Sequence, residues 1–230
     1  MNLVDGFPPI SDYAVISDCD SRALVARDGS IEGAVFHRFD GRPVFARVLD
    51  RDIGGFFKVA PTAPEVDIER RYLPGTNVLE TTFTTSQGVV TLTDFMPVEP
   101  DPDEIGKAHR LGARHSLIRV VRGVSGEVDV GLTFRPRFEY GLTTPHITEL
   151  AEDLVVVAGG ADALLLESEI GPLPRDGRGG VDAVDYLGRV IEVPNENIED
   201  PLFDLPPRRG RRCFGCDSSG AGHAASPDRG

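Results

Sequence analysis

Short apolar runs, separated at close intervals by turn residues, constrain this chain more than any other feature. Arg22 to Arg27 and Ile31 to Phe36 flank Asp28-Gly29. An Asp-Gly pair between two such runs is a strong local signal for a β-hairpin. Phe56 to Val59 is a further short apolar run. Val78 to Thr84 and Val89 to Phe95 are rich in Thr, Val and Phe and lie on either side of Ser86-Gln87-Gly88. That composition and spacing predict a second hairpin. Ser116 to Arg122 and Glu127 to Arg135 follow, joined by Gly123 to Gly126. In the later run Val128, Val130, Leu132 and Phe134 fall on one face, and Glu127, Asp129, Gly131 and Thr133 on the other, the period of a half-buried strand. Leu154 to Val157 and Ala163 to Glu167 complete a series of about ten strands at the spacing of a sandwich. One short helix is expected over Pro43 to Asp50, where Phe45, Val48 and Leu49 fall at i, i+3 and i+4 and a proline suits the first turn. The chain has no long amphipathic helix pattern and no internal repeat.

At 230 residues the chain can bury a full core as one domain. A net charge of -13 excludes nucleic acid as a partner for its body and leaves neutral molecules such as sugars admissible. No apolar run approaches the roughly 20 residues needed to cross a bilayer, so no membrane partner is expected. Met1 to Ile10 carries no basic stretch followed by an apolar one, so no secretory signal is visible and the expected location is cytoplasmic. The three cysteines, Cys19, Cys213 and Cys216, do not describe a disulfide framework and agree with a reducing compartment. Composition changes near Gly171, where Gly, Pro, Arg and Asp become dense. The expected organisation is a β-sandwich domain over 3–170, an irregular stretch over 171–205 and a disordered Arg/Gly/Ser-rich tail over 206–230. Such a tail has too little apolar surface to offset the entropy of ordering it.

Six phrases in fixed order carry a resemblance. They are Phe7-Pro8-Pro9-Ile10-Ser11-Asp12-Tyr13 with Ile16-Ser17-Asp18-Cys19; Asp28-Gly29-Ser30-Ile31-Glu32; and Arg38-Phe39-Asp40 with Val44-Phe45 and Leu49-Asp50. Then come Arg71-Tyr72-Leu73-Pro74-Gly75-Thr76-Asn77-Val78-Leu79-Glu80-Thr81, and a strand from Gly88 ending in Thr93-Asp94-Phe95-Met96-Pro97. The last is Ile118 to Gly126, leading to Pro136-Arg137-Phe138-Glu139-Tyr140-Gly141. Together, over about Phe7 to Gly141, they resemble the N-terminal, trehalase-like domain of bacterial family 15 glycoside hydrolases, the glucoamylase and trehalase group. The resemblance implies an all-β antiparallel super-sandwich. It also implies an (α/α)6 catalytic barrel as partner, which in the family follows in cis and carries two catalytic glutamates. Nothing after Gly171 resembles that barrel, so the chain is expected to stop or leave the family pattern before the catalytic machinery and to be inactive alone. One departure falls inside the matched region: the family usually has Trp after the Gly-Ser-Ile-acidic phrase, whereas here Glu32 precedes Gly33 and the chain lacks Trp altogether.

Inverting glycoside hydrolysis needs two carboxyl groups roughly 6.5 to 9.5 Å apart. With 37 acidic residues in the chain, abundance nominates no pair. Asp40 and Asp94 sit in family-like phrases and are read as structural, since aspartates at strand ends commonly satisfy turn backbone groups. Glu80 and Glu139 are read as solvated or as arginine partners. No catalytic residue is nominated. Arg38, Phe39 and Asp40 are the candidate substrate-rim or domain-interface residues: a cation, an aromatic face and an acid suit the hydroxyls and apolar face of a sugar. The alternative puts Phe39 in the core and pairs Arg38 with a nearby acid.

Cys213-Phe-Gly-Cys216 has the spacing of zinc-binding thiolates, with His223 as a conceivable third ligand. A fourth ligand and a packed scaffold are missing, so no metal and no cofactor are expected. Arg208, Arg209, Arg211 and Arg212 form a basic cluster that no basic body supports. His37, His109, His115 and His146 are scattered, and no Ser-His-Asp arrangement follows from their order. The function expected is thus a non-catalytic domain that supports assembly of a catalytic barrel, in cis or on a separate chain, and shapes its active-site rim. The alternative is a stand-alone β-sandwich module that binds an α-glucan, trehalose or a protein. A frame-shifted or truncated gene would account for the abrupt end. A complete small enzyme of another class has no convergent motif in its favour.

Overall fold

The computed structural model describes residues 6–100, 111–113, 115–151, 153–168, 181–184 and 188–194. All of these lie in the first of two compact units, Met1–Ile198 and Glu199–Gly230. The expectations for Cys213, Cys216, His223, the arginine cluster and the tail over 206–230 therefore fall outside the described residues, as does His109.

The described chain is all-β. Its sixteen strands are β1 (Tyr13–Ser17), β2 (Arg22–Ala26), β3 (Ser30–Val35), β4 (Phe56–Pro61), β5 (Asp67–Tyr72), β6 (Leu79–Thr84), β7 (Gly88–Phe95), β8 (Val98–Pro100), β9 (Leu111–Ala113), β10 (Ser116–Gly126), β11 (Val130–Arg135), β12 (His146–Ala151), β13 (Leu154–Gly159), β14 (Asp162–Ser168), β15 (Val181–Val184) and β16 (Gly188–Pro194). Six form a sheet in the order β1-β2-β3-β4-β11-β15, eight form a second in the order β12-β13-β14-β16-β10-β7-β6-β5, and β8 and β9 pair separately. Every pairing is antiparallel.

The two large sheets share one core. Ile16, Val25, Ile31, Phe57, Leu132 and Phe134 from the six-stranded sheet join Leu79, Phe83, Leu92, Leu117, Val155 and Leu164 from the eight-stranded one in a single buried cluster. The alternation in β11 is realised as read, with Val130, Leu132 and Phe134 all buried. At its centre Phe57 and Phe134 meet edge to face at 5.2 Å, and Phe45 meets Phe134 in the same way at 5.8 Å. That geometry satisfies the ring quadrupoles.

Both expected hairpins form, as β2-β3 and β6-β7. At the first, Gly29 takes φ +79, and a Cβ there would lie 2.3 Å from the Val59 carbonyl oxygen. Only glycine meets both demands. The Asp28 carboxylate accepts the Ser30 N–H at 3.1 Å and pairs with Lys58 at 2.8 Å.

Three findings depart from the sequence analysis. First, Pro43 to Asp50 is not a helix. Ala34 and Phe45 form an antiparallel bridge, with Ala34 N–H on Phe45 O at 3.0 Å and Val44 N–H on Ala34 O at 2.9 Å. Val48 N–H goes to Glu32 O at 3.0 Å. With those donors committed to β3, the i to i−4 ladder shrinks to one turn, Asp50 N–H on Ala46 O. Second, there are more strands than about ten. β1, β5 and β12, which the apolar pattern missed, are the end strands of their sheets. β5 buries no residue fully, and an edge strand with a wet face need not be apolar. Third, β15 and β16 lie within the stretch read as irregular, and β16 is inserted between β14 and β10.

Candidate functional site

The middle of the sandwich holds a buried ion pair. Arg119 on β10 stands opposite Asp94 on β7, and both side chains are fully buried. The guanidinium donates to both carboxylate oxygens, Nε to Oδ1 at 2.8 Å and Nη2 to Oδ2 at 3.1 Å. It also reaches across to the other sheet, donating Nη1 to Phe57 O at 2.9 Å and Nη2 to Gly29 O at 2.7 Å, with the Phe57 ring 4.7 Å from its centre. A buried charge is tolerated when it is paired and hydrogen-bonded, and here both conditions hold. Asp94 is therefore a structural residue, closed off from any substrate.

The other carboxylates weighed as chemical groups are also held by arginines. Glu80 accepts from Arg71 at 2.7 Å, Glu139 from Arg42 at 2.8 Å and Asp40 from Arg38 at 2.8 Å. At Asp40 the Arg38 hydrogen bonds hold the carboxyl below its ordinary range.

Arg38, Phe39 and Asp40 lie in the connection between β3 and β4, all exposed. Arg38 does pair with an acid, Asp40, but Phe39 is not in the core: 45 % of it is exposed. The Arg22 guanidinium lies 5.7 Å from its ring centre. Beside them, the β1-β2 turn is locked around Asp18, which is fully buried. Its Oδ1 accepts the backbone N–H of Asp20 and Ser21, and its Oδ2 accepts that of His115, just ahead of β10. Ser21 Oγ accepts the His37 N–H at 3.2 Å and lies 3.1 Å from His115 Nδ1.

The structure thus brings together two histidines that the sequence left scattered, with ring centroids 4.1 Å apart. A serine, a histidine and an aspartate do meet here, but not as a catalytic triad. Asp18 holds the backbone of His115 rather than its imidazole, and Ser21 is fully buried. Loss of hydration, then the neighbouring His115, lowers the proton affinity of His37.

Backbone strain collects at this end. Among the described residues five non-glycine residues have positive φ: Cys19, His37, His115, Glu139 and Tyr140. His37 and His115 meet at Ser21, Cys19 lies in the same β1-β2 turn with its N–H on Ser17 Oγ, and Glu139 and Tyr140 are tied to the β3-β4 connection by the Arg42–Glu139 pair. Such conformations cost roughly 1–3 kcal/mol each and persist where surrounding structure enforces them, often at functional sites. Tyr140 and Leu142 beside the last pair are exposed, as is Ile53, whose carbonyl lies 2.7 Å from where a Gly141 Cβ would sit. At Gly33 the fit is tight, since a Cβ would sit 3.1 Å from Leu24 Cδ1.

No signal in the sequence would have joined Ser21, His37 and His115, which are far apart in the chain. The Ile16 to Cys19 phrase was visible, but the role of Asp18 rests on backbone donors that only the fold supplies. Among the described residues no group of three or more His, Cys, Asp or Glu is placed to hold a metal, and no helix is long and apolar enough to cross a membrane.

A two-sheet antiparallel sandwich, with positive-φ loops gathered at one end and its conspicuous carboxylates tied to arginine, defines an all-β domain. The chain belongs to the family of trehalase-like N-terminal domains, whose model matches residues 4–170. It is 39% identical over 145 residues to the trehalase of Mycolicibacterium smegmatis, covering 60% of this chain and 22% of that one. It is 37% identical over 145 residues to the trehalase of Mycobacterium tuberculosis, covering 60% of this chain and 21% of that one. It is also 32% identical over 146 residues to the trehalase of Thermoplasma volcanium, covering 63% and 22%. The chain thus spans about a fifth of the length of the curated relatives it matches. No solved structure matches it.

Proposed function

We propose that this chain is the non-catalytic domain of a glucoamylase- or trehalase-like hydrolase of α-glucosidic bonds. It supports assembly of an (α/α)6 catalytic partner, in cis or on another chain, and contributes Arg38, Phe39 and Asp40 to the rim of the partner's site. The observation that carries this reading is the fate of the carboxylates. Asp40, Glu80, Asp94 and Glu139 are each bound by an arginine, which supports a structural role for each. The strained end around His37 and Cys19, with Phe39, Tyr140 and Leu142 exposed, is the surface best suited to meet such a partner. Sugar comes from the relatives' name: trehalose is the first substrate to try, and a maltodextrin the second.

The experiment is an assay of trehalose and maltodextrin hydrolysis by the purified chain, alone and mixed with the Mycolicibacterium trehalase lacking its own matching segment. The expected result is no hydrolysis by either alone and hydrolysis by the mixture. Saturable trehalose binding by the chain alone, with no effect on the partner, would instead favour a stand-alone carbohydrate-binding module.

A further inference from the structure

Three segments of the loop end share one hydroxyl. Ser21, in the β1-β2 turn, is fully buried. Its Oγ accepts the His37 N–H at 3.2 Å and lies 3.1 Å from His115 Nδ1. A serine hydroxyl carries one hydrogen and must place it on an acceptor where water is excluded. Among the described residues His115 Nδ1 is the acceptor in reach. That balance assigns to His115 the neutral tautomer with its hydrogen on Nε2. A proton arriving at Nδ1 turns the acceptor into a donor. Ser21 Oγ then faces two donors, and its own buried hydrogen is left without an acceptor.

The connection held by this hydroxyl is under load. The Arg38 N–H closes a three-residue turn on Phe36 O at 2.7 Å, with His37 at its centre at φ +62. Turns of that sign are rare and strained. His115 also has positive φ, +48, and its N–H is taken by the buried carboxylate of Asp18. The two imidazole rings lie 4.1 Å apart between centroids, so charge on one opposes charge on the other. His37 is exposed and His115 half-buried, so protons from solvent reach the pair. The charged and titratable groups that face His37 are His115, Asp18 and Asp20 of the β1-β2 turn, and Asp162 at the start of β14. Arg22, which opens β2, lies over the Phe39 ring instead. Loss of hydration, then His115, lowers the proton affinity of His37, and the three aspartates oppose this only in part.

We propose that Ser21, His37 and His115 form a proton-operated latch on the β3-β4 connection. It is closed while both imidazoles are neutral and opens when the pair takes up a proton, freeing His37 to Asp40 from the β1-β2 turn. The closed state binds protons less readily than the open one. Closure is therefore favoured above the ordinary histidine range and is lost as pH falls through and below it. Opening relieves the positive φ at His37. The Asp18 carboxylate holds backbone N–H groups rather than an imidazole, so the turn itself keeps its shape. Under the function proposed above, and resting on it, Arg38, Phe39 and Asp40 meet a partner in one fixed shape at neutral pH and lose that shape in acid. The latch itself needs no partner.

The test is amide hydrogen exchange by NMR on the full chain between about pH 7.5 and 5.5, corrected for intrinsic exchange, with the imidazole resonances titrated alongside. The His37 amide, which donates to Ser21 Oγ, reports the latch, and the amides of β11 report the core. The expected result is an at least tenfold loss of protection at His37 across that range, with β11 unchanged. His115→Asn removes the titrating group and keeps a residue that tolerates positive φ, so protection at His37 should become independent of pH. His146→Asn, on β12 and outside the cluster, should leave the response as it is. Should His115→Asn fail to fold, Ser21→Ala is read in its place: protection at His37 is already lost at neutral pH and falls no further in acid. Protection at His37 that persists with both imidazoles titrated would overturn the latch. So would an equal loss in β11, or an undiminished pH response in His115→Asn. No sugar or catalytic partner enters these measurements, so the latch and the proposed function can fail separately.

Discussion

The centre of the sandwich and its loop end are both built around a buried aspartate, and the two differ in how that charge is satisfied. Asp94 is met by the Arg119 side chain, which also ties the facing sheet through Gly29 and Phe57. Asp18 is met by backbone N–H groups of its own turn and of His115. A side-chain partner on a regular strand leaves the backbone relaxed. Backbone partners must be bent toward the carboxylate, and Cys19 and His115 are driven to positive φ around it. The first arrangement locks two sheets. The second holds three loops in a fixed but strained shape, which suits a surface that must match another.

The largest expected effect breaks the central lock. Asp94→Ala leaves Arg119 buried without its counter-charge and should destabilise the domain by about 3–5 kcal/mol, read by urea denaturation. Replacing both members, as Asp94→Leu with Arg119→Met, should recover much of that loss, since apolar pairs often substitute for buried ion pairs. A double variant as unstable as the single one would show that the contacts to Gly29 and Phe57 matter more than the pair. Next in size, Gly29→Ala should cost more than about 1 kcal/mol, because the turn needs φ +79 and the Val59 carbonyl closes the space.

At the loop end the effects are smaller and can change sign. Cys19→Gly should raise stability by up to about 1 kcal/mol, since glycine adopts positive φ without strain. The pH response separates the two regions as well. The proton affinity of His37 is lowered in the fold, so the folded state binds fewer protons than the unfolded one as pH falls. The stability it contributes is present above the ordinary histidine value and declines as pH falls through and below it. A His37→Gln variant should flatten the pH dependence of Tm between about pH 7 and 5. Smallest of all, Arg38→Ala should leave Tm unchanged, since the pair it breaks is fully exposed.

The sequence spoke clearly wherever burial was one-sided or a turn demanded a particular residue. Val130, Leu132 and Phe134 alternated because one face of β11 lies in the core, and Asp28-Gly29 marked its hairpin because the backbone there needs glycine. It was silent where polarity was local. β5 is an edge strand that buries no residue fully, and β1 and β12 are short end strands that bury only Ala14 and Ile16, and Ile147. Phe45, Val48 and Leu49 mimicked a helix because a bridge to Ala34 and a turn place apolar residues at the same offsets. At the candidate site, Arg38, Phe39 and Asp40 were nominated from their phrase, and the fold places all three exposed in the β3-β4 connection. The Asp18 clamp was not legible, since it depends on backbone donors from its own turn and from the distant His115.

The central claim is that the loop end serves a catalytic partner while the core merely holds it in shape. The most direct measurement replaces the matching segment of the Mycolicibacterium trehalase with this chain's residues 4–170 and compares trehalose hydrolysis by that chimera with its Arg38→Ala/Phe39→Ala form. The account predicts an active chimera whose kcat/KM falls at least tenfold in the double variant, with Tm unchanged. An active chimera indifferent to both substitutions would contradict it, leaving the patch at Arg38 to Asp40 an ordinary solvated loop.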